Sequence, residues 1–140
     1  MYQLVTLIRL IYLLKHNCHN LVSKISFFAD HEFLGSSYEM SLKHYDSIIE
    51  RMIGLNIQFD LLQVQDDAVK KLQQIPLQYK DNAECFFAIL GVNKAILQLI
   101  EGLAKAQGIS QGTIQLIGTI ADEIEVENYK LQQRLKGREK

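Results

Sequence analysis

Apolar residues recur at helical spacing from the very start of the chain. Residues 2 to about 21 carry an apolar stripe at intervals of three and four residues, which predicts a helix. The stripe consists of Leu4, Leu7, Ile8, Ile11, Leu14 and Cys18. A second apolar flank lies beside it and contains Val5, Leu10, Tyr12 and Leu13. Because a helix that is apolar on two sides needs cover on two sides, we expect part of that cover to come from another subunit.

Three further long helices are predicted, each with its own start and stop signals. The second runs from Phe27 to about Ile53, with Ser26 as its cap, Asp30 in its first turn and Gly54 as its stop. The third opens at a capping box of Asp81 and Glu84 and runs to Gly108. The fourth runs from near Ser110 to Gly137. Residues 55–80 are less regular, with one short amphipathic piece from Asp67 to Ile75 before Pro76.

The order of these segments predicts the fold class. A single proline in 140 residues leaves too few turns for a β-sandwich or barrel, so the chain is predicted to be all-α. Four long helices with one long connection, between the second and third, are typical of a ferritin-like four-helix bundle, here with a short extra helix in that connection. The length allows one domain, residues 1–140, in which residues 136–140 form a short basic tail.

Net charge and cysteine content indicate which partners and which cellular compartment to expect. Fifteen Lys and Arg against sixteen Asp and Glu give a net charge of -1, so no overall positive field attracts nucleic acid or an anionic membrane. The apolar start is interrupted by Arg9 and Lys15 and is too short to span a bilayer, so we expect no membrane association. Cys18 and Cys85 lie among apolar residues, as buried structural thiols do. We therefore expect a cytoplasmic protein.

Histidine and carboxylate are the residue types left to carry chemistry. The chain has no G-x-S-x-G, no glycine-rich phosphate loop, no C-x-x-C and no H-E-x-x-H motif. Its four histidines all fall in the first third, and Asp46 and Glu50 follow closely. These two carboxylates are four residues apart on one helix, so both can reach one cation. A site of mixed nitrogen and oxygen ligands suits iron, and its nitrogens would come from His19 or His31.

Helix geometry decides how such a site could be completed. His31 and Asp46 are fifteen residues apart on one helix, which at ~1.5 Å per residue is about 22 Å. They cannot bind the same ion within one chain. Two copies of this helix packed antiparallel about a two-fold axis would bring His31 of one chain to Asp46 and Glu50 of the other. A site inside the bundle would need Glu-x-x-His motifs, and the sequence has none.

One segment resembles a known family. Residues 19–55, HNLVSKISFFADHEFLGSSYEMSLKHYDSIIERMIGL, are similar to the core signature of the Dps family of mini-ferritins. The steps from His19 to His31, from there to Asp46, and on to Glu50 are twelve, fifteen and four residues, and all three match the family pattern. Weaker likeness in helix lengths extends over most of the chain.

The resemblance implies a function and a set of ligands. It implies a shell of twelve subunits that binds Fe(II) at two-fold interfaces, oxidises it, commonly with hydrogen peroxide, and stores Fe(III) inside. His19 and His31 of one subunit, with Asp46 and Glu50 of its partner, would be the iron ligands. Each site would hold two ferrous ions, or one iron and a water.

The sequence also departs from the family pattern. Asn20 stands where the family has a tryptophan, so one aromatic neighbour of the site is missing. His16, one turn before His19, and His44 are expected as auxiliary groups. The acidic residues that line an iron pore in many members are replaced by Gln115 and Thr119, which leaves Asp122 and Glu123 as candidates for that role.

DNA binding is predicted to be weak or absent. The chain has no basic N-terminal arm, and the candidate contacts are confined to the tail residues Lys136, Arg138 and Lys140. The alternative to a ferroxidase is a helical assembly, or a DNA-compacting protein, that keeps the fold without a working iron centre. Asn20 and the neutral pore positions are what favour that alternative.

Overall fold

The computed structural model describes residues 1–138, and within them all regular structure is helical. The five α-helices are α1 (Tyr2–Leu21), α2 (Phe27–Gly54), α3 (Leu61–Gln73), α4 (Asn82–Ala104) and α5 (Gln111–Leu135). A short 3₁₀ helix, Lys136–Arg138, follows α5. The prediction of an all-α chain with a short helix in the middle connection is confirmed. Lys140 lies outside the described residues, as does the side chain of Arg138.

Helix α1 occupies the centre of the packing. It lies against α2, α3 and α4, while α5 packs on α4 and touches α2. Most of its apolar side chains are therefore buried within one chain, while Tyr12 and Leu13 of the second flank stay partly exposed. The short helix α3 supplies part of the cover that was expected from another subunit, and a contribution from a second subunit stays a prediction. The side chain of Tyr2, at the start of α1, donates a hydrogen bond of 2.5 Å to Asp67 of α3 and so links α1 to α3.

Helix limits follow the capping residues, with three departures from the prediction. Helix α3 begins at Leu61 rather than near Asp67, because Asp60 accepts hydrogen bonds from the backbone amides of Leu62 and Gln63. Asp81 caps α4 as predicted, accepting from the amide of Glu84 at 2.9 Å, but the helix ends at Ala104, short of Gly108. Ser26 stands at the start of α2 without a side-chain capping bond.

An ion pair between exposed Arg134 and buried Asp30 joins the starts of α2 and α4 to the end of α5. Arg134 donates two hydrogen bonds to the carboxylate of Asp30, at 3.0 and 2.9 Å. Asn82 donates a third to Asp30 at 2.8 Å. The guanidinium of Arg134 also lies over the ring of Phe86, 5.3 Å from its centroid. This cluster fixes the three helix ends relative to one another.

Helix α4 is the most apolar of the five. Among the described residues, it alone has the length and hydropathy of a membrane span, with a mean hydropathy of 1.5 over its most apolar window. Core helices of compact bundles pass the same test, so the finding is weak evidence for a span. Phe86, Ile89, Ile96 and Ile100 of α4 are buried against neighbouring helices of the same chain.

Candidate metal centre

His19 and His31 form an interlocked pair where α1 ends and α2 begins. The Nδ1 atom of His19 lies 2.8 Å from the backbone oxygen of His31, and Nδ1 of His31 lies 2.8 Å from the backbone oxygen of His19. The two rings are stacked, with centroids 3.8 Å apart and planes inclined by 20°. The twelve-residue spacing seen in the sequence therefore brings these two side chains into direct contact.

These hydrogen bonds fix which nitrogen of each ring can bind a metal. A carbonyl oxygen only accepts, so Nδ1 of both rings must be the donor. A neutral imidazole that is protonated on Nδ1 carries its free lone pair on Nε2. Within the described chain, neither Nε2 has a hydrogen-bond partner. Ligand histidines are commonly oriented through such a bond to a backbone carbonyl.

Aromatic rings hold the pair in place from both sides. Phe27 stacks on the outer face of His31, with centroids 4.8 Å apart and planes inclined by 20°. Tyr38 meets His19 edge-on at 5.2 Å. The pair therefore has aromatic neighbours from α2, although Asn20 does not supply one. Gly35 lies beneath His19, where an added Cβ would come within 3.2 Å of the imidazole carbon Cε1.

Asp46 and Glu50 lie elsewhere on the same helix. Both are exposed to solvent on α2, close to its C-terminal end. In the described residues, no three His, Cys, Asp or Glu side chains come together in a geometry that could hold a metal ion. Within one chain the four predicted ligands therefore do not meet. They form two separate pairs, a histidine pair and a carboxylate pair.

The two auxiliary histidines have different surroundings. His16 lies beside Tyr38, with ring centroids 4.7 Å apart, and so continues the ring cluster that contains His19. His44 is buried on the α5 side of α2, and its Nε2 lies 2.6 Å from Glu123. Burial lowers the pKa of His44, and the carboxylate of Glu123 partly opposes that shift. With its Nε2 occupied by Glu123, His44 is not oriented toward the stacked pair.

The predicted pore residues line a groove on the α2–α5 face. Asp122 and Glu123 are exposed and border a groove of about 570 Å³, together with Glu32 of α2. Apolar side chains, including Phe33, Met40 and Val126, form much of its wall. Asp122 and Glu123 thus share a surface with a third carboxylate from the neighbouring helix.

The middle of the bundle contains a charged network that the sequence interpretation missed. Lys15 of α1 is 1% exposed, and its Nζ lies 3.0 Å from Oε1 of Glu127 on α5. It also donates to Ser41 of α2 at 2.8 Å. Ser37 donates to the same carboxylate of Glu127, and Asn93 of α4 donates to its other oxygen at 2.8 Å. All four long helices therefore meet at one ammonium–carboxylate pair.

Two features of the sequence could have revealed this network. Lys15 follows Ile8 and Ile11 by seven and four residues, so it falls within the apolar stripe of α1. Glu127 falls between Ile124 and Leu131 at helical spacing, so it lies within the apolar stripe of α5. Burial lowers the pKa of Lys15, and Glu127 opposes that shift through its charge and hydrogen bond.

The basic residues at and just before the tail have different surroundings. Lys136 is exposed, but Arg134, just before it, is bound to Asp30. Weak or absent DNA binding through Lys136 and its neighbours stays a prediction.

Comparison with known proteins identifies the family. Residues 2–139 match the family model for the ferritin-like domain. The chain belongs to the ferritin-like family. Ferritin-like proteins bind iron in general and function in iron storage or as ferroxidases. No curated protein and no solved structure matches this ferritin-like chain.

Proposed function

We propose that this ferritin-like protein is a Dps-like ferroxidase, which oxidises Fe(II) at sites shared by two subunits and stores Fe(III) within a closed assembly of the chain. His19 and His31 from one subunit, and Asp46 and Glu50 from the other, would bind the iron. The observation that carries the proposal is the interlocked histidine pair, which presents two Nε2 lone pairs with no partner in the chain. A dodecamer in the cytoplasm is the assembly and location that we expect.

The surface of α2 supports an antiparallel pairing of two copies. If His31 faces the midpoint between Asp46 and Glu50 of a second copy, the two-fold axis passes close to Glu39 and Met40. Near that axis, Glu39 of each copy lies about 4.5 Å along the helix from the level of Lys43 of the other, within reach of the lysine side chain, and both side chains are exposed.

Exposed apolar side chains match in the same register. Phe28 is 85% exposed at the start of α2, and Ile53 is 63% exposed near its end. Antiparallel pairing brings each against the opposite end of the other copy, where the two can be buried together. The surface that would complete the iron site therefore also gains apolar burial from pairing.

The ligand set suits Fe(II) as a substrate that must become Fe(III). Imidazole nitrogen is a good ligand for Fe(II), while the harder Fe(III) ion favours carboxylate oxygen. Two ferrous ions give up one electron each, and one hydrogen peroxide with two protons accepts both electrons and leaves as two water molecules. The negative charge of Asp46 and Glu50 stabilises the ion as its charge rises.

Mixing two inactive variants tests the shared site. His31→Ala removes a nitrogen ligand, and Asp46→Asn with Glu50→Gln removes the carboxylates, so each variant alone should lose rapid Fe(II) oxidation by peroxide. Subunits unfolded together and reassembled at random should regain about a quarter of the parental sites, since a mixed pair keeps one complete site of two.

The control is to assemble each variant separately and mix the finished assemblies without exchange of subunits, which should restore nothing. Recovery in that control, or none after co-assembly, would overturn the shared site. A monomer mass by light scattering at micromolar concentration would do the same.

A further inference from the structure

The groove between α2 and α5 is an open space that the proposed iron site does not use. It has a volume of about 570 Å³, and the side chains that line it in the described chain belong neither to the histidine pair nor to the carboxylate pair. Helices α2 and α5 pack less closely on each other than α1 packs on α2 or α4 packs on α5. Their separation leaves room for a ligand.

Apolar side chains form much of the wall of this groove. Phe33 and Met40 of α2 line one side, and Val126 of α5 lines the other. Phe33 and Met40 are half-buried, while Val126 is 51% exposed. A ligand with hydrocarbon segments would remove these surfaces from water, which favours its binding.

Carboxylates stand toward both ends of the apolar wall. Glu32 of α2 lies toward one end, and Asp122 and Glu123 of α5 lie toward the other. The carboxylate of Glu123 is 2.6 Å from Nε2 of His44, which fixes that end at the level of His44 on α2. Glu32 precedes His44 by twelve residues, or about 18 Å along the helix at ~1.5 Å per residue. The acidic ends are therefore well separated.

The groove carries an excess of negative charge. Its three end carboxylates face one ammonium group in the described lining, that of Lys130. The carboxylate of Glu127, also in the lining, is already paired with Lys15 at 3.0 Å. Burial lowers the pKa of His44, so its imidazole beside Glu123 adds no positive charge at pH 7. The electrostatic field of the groove therefore favours a cation.

We propose that the α2–α5 groove binds a linear aliphatic polyamine. Its terminal ammonium groups contact Glu32 at one end and Asp122 with Glu123 at the other, while its methylene segments lie on the apolar wall. An inorganic cation would gain nothing from that wall, and a neutral apolar molecule would gain nothing from the carboxylates. A flexible chain with charges at both ends uses both features, and its binding does not depend on iron or on the proposed ferroxidase.

Calorimetric titration of the whole, iron-free protein with spermine at low ionic strength is the direct test. We expect one site per chain, and binding that weakens as sodium chloride is added. The absence of binding at millimolar spermine would overturn the proposal. Displacement of spermine by magnesium chloride well beyond that by sodium chloride of equal ionic strength would also overturn it, since the groove would then be a divalent-cation site.

Charge-neutralising variants test the location of the site. Glu32→Gln and Asp122→Asn should each weaken spermine binding about threefold, and the double variant about tenfold, as expected for exposed ion pairs. Glu125→Gln is the matched control, because Glu125 is an exposed carboxylate of α5 outside the groove lining. An equal loss of affinity in Glu125→Gln would mean that spermine senses only the overall charge, which would refute binding in the groove.

A change of opposite sign provides an independent test. Lys130→Gln removes the one ammonium group that opposes a bound cation, so spermine should bind about threefold more tightly. All these variants keep the backbone and the buried core unchanged, and their circular dichroism spectra should match the parental spectrum. Weaker binding in Lys130→Gln would contradict the electrostatic basis of the proposal.

Ligand length tests the two-ended geometry. Diaminododecane and diaminobutane carry the same charge, but only the longer diamine can approach both acidic ends at once. It should bind at least tenfold more tightly than diaminobutane, and also more tightly than dodecylamine, which has the same chain with one ammonium group. Equal affinity for the two diamines, or for diaminododecane and dodecylamine, would show that the two ends do not act on one ligand.

Discussion

The centre of the bundle and the histidine pair at the end of α1 are both polar clusters in an apolar chain, but they differ in what is left unbound. At the centre, both carboxylate oxygens of Glu127 are bound, by Lys15, Ser37 and Asn93. At the histidine pair, each ring uses Nδ1 and leaves Nε2 without a partner in the described chain. A cluster that satisfies its own charges stabilises the fold, whereas a cluster with open lone pairs is able to bind an ion.

The largest expected effect tests the closed cluster. Lys15→Met should lower the free energy of unfolding by about 3 to 5 kcal/mol, because it leaves the Glu127 carboxylate buried without a counter-charge. Urea denaturation of the iron-free protein at one fixed protein concentration measures this.

The control for Lys15→Met is the double change of Lys15→Met and Glu127→Leu, which removes both charges and should recover most of the lost stability. If Lys15→Met alone unfolds at the parental urea midpoint, the pair does not hold the four helices together.

A smaller effect should follow from displacing a histidine ring while keeping its chemistry. Gly35→Ala adds a methyl group 3.2 Å from Cε1 of His19, so the ring must move by a few tenths of an ångström and carries Nε2 with it. We expect Fe(II) to bind about tenfold more weakly, in the range seen when groups that orient metal ligands are removed. Anaerobic ferrous titration gives the affinity.

Gly91→Ala is the matched control for Gly35→Ala. Gly91 lies within α4, and an added Cβ there would have no heavy atom within 4 Å. Its iron affinity should stay at the parental value. An unchanged affinity in Gly35→Ala would show that the position of the His19 ring does not govern binding.

The smallest expected effect is a pH dependence of stability due to His44. Burial lowers its pKa in the folded protein below the usual 6.5, so the unfolded chain binds a proton more readily than the folded one. The stability contributed by neutral His44 is therefore complete above pH 6.5 and is lost as pH falls through the lower, folded pKa.

Unfolding free energies from pH 7.5 down to about pH 5 should show this loss, and the slope should be smaller in His44→Gln. An identical slope in the two proteins would assign the pH dependence to other groups.

The apolar periodicity of the sequence predicted the long helices well. Of the two polar clusters, the sequence indicated the histidine pair but not the pair of Lys15 and Glu127. The limits of α1 follow directly from its apolar stripe, and Asp81 caps α4 as its position indicates. The predicted start of helix α3, Asp67, is later in the chain than the observed start, Leu61. The segment after the cap at Asp60 has few buried residues, Val64 and Ala68, and so shows little apolar periodicity. A short helix that buries so little leaves a weak pattern.

The spacing of His19 and His31 marked them as a pair, and the structure places their side chains in contact, but the sequence could not show the geometry of that contact. Their mutual bonds to backbone oxygens depend on the turn between α1 and α2, where Lys24 adopts a φ of 68°. The burial of Lys15 was not predicted, because a charged residue within an apolar stripe was interpreted as an interruption of that stripe. Its partner Glu127 is 112 positions away, and nothing local identifies it.

The ion pair between Asp30 and Arg134 has a consequence for the order of folding. It joins residues 104 positions apart, so closing it costs more chain entropy than forming the α1–α2 hairpin. We expect the hairpin to form early and this pair to close late. All four proposed iron ligands lie between residues 19 and 50, and would therefore leave the ribosome and take up their places on α1 and α2 while α4 and α5 were still being synthesised.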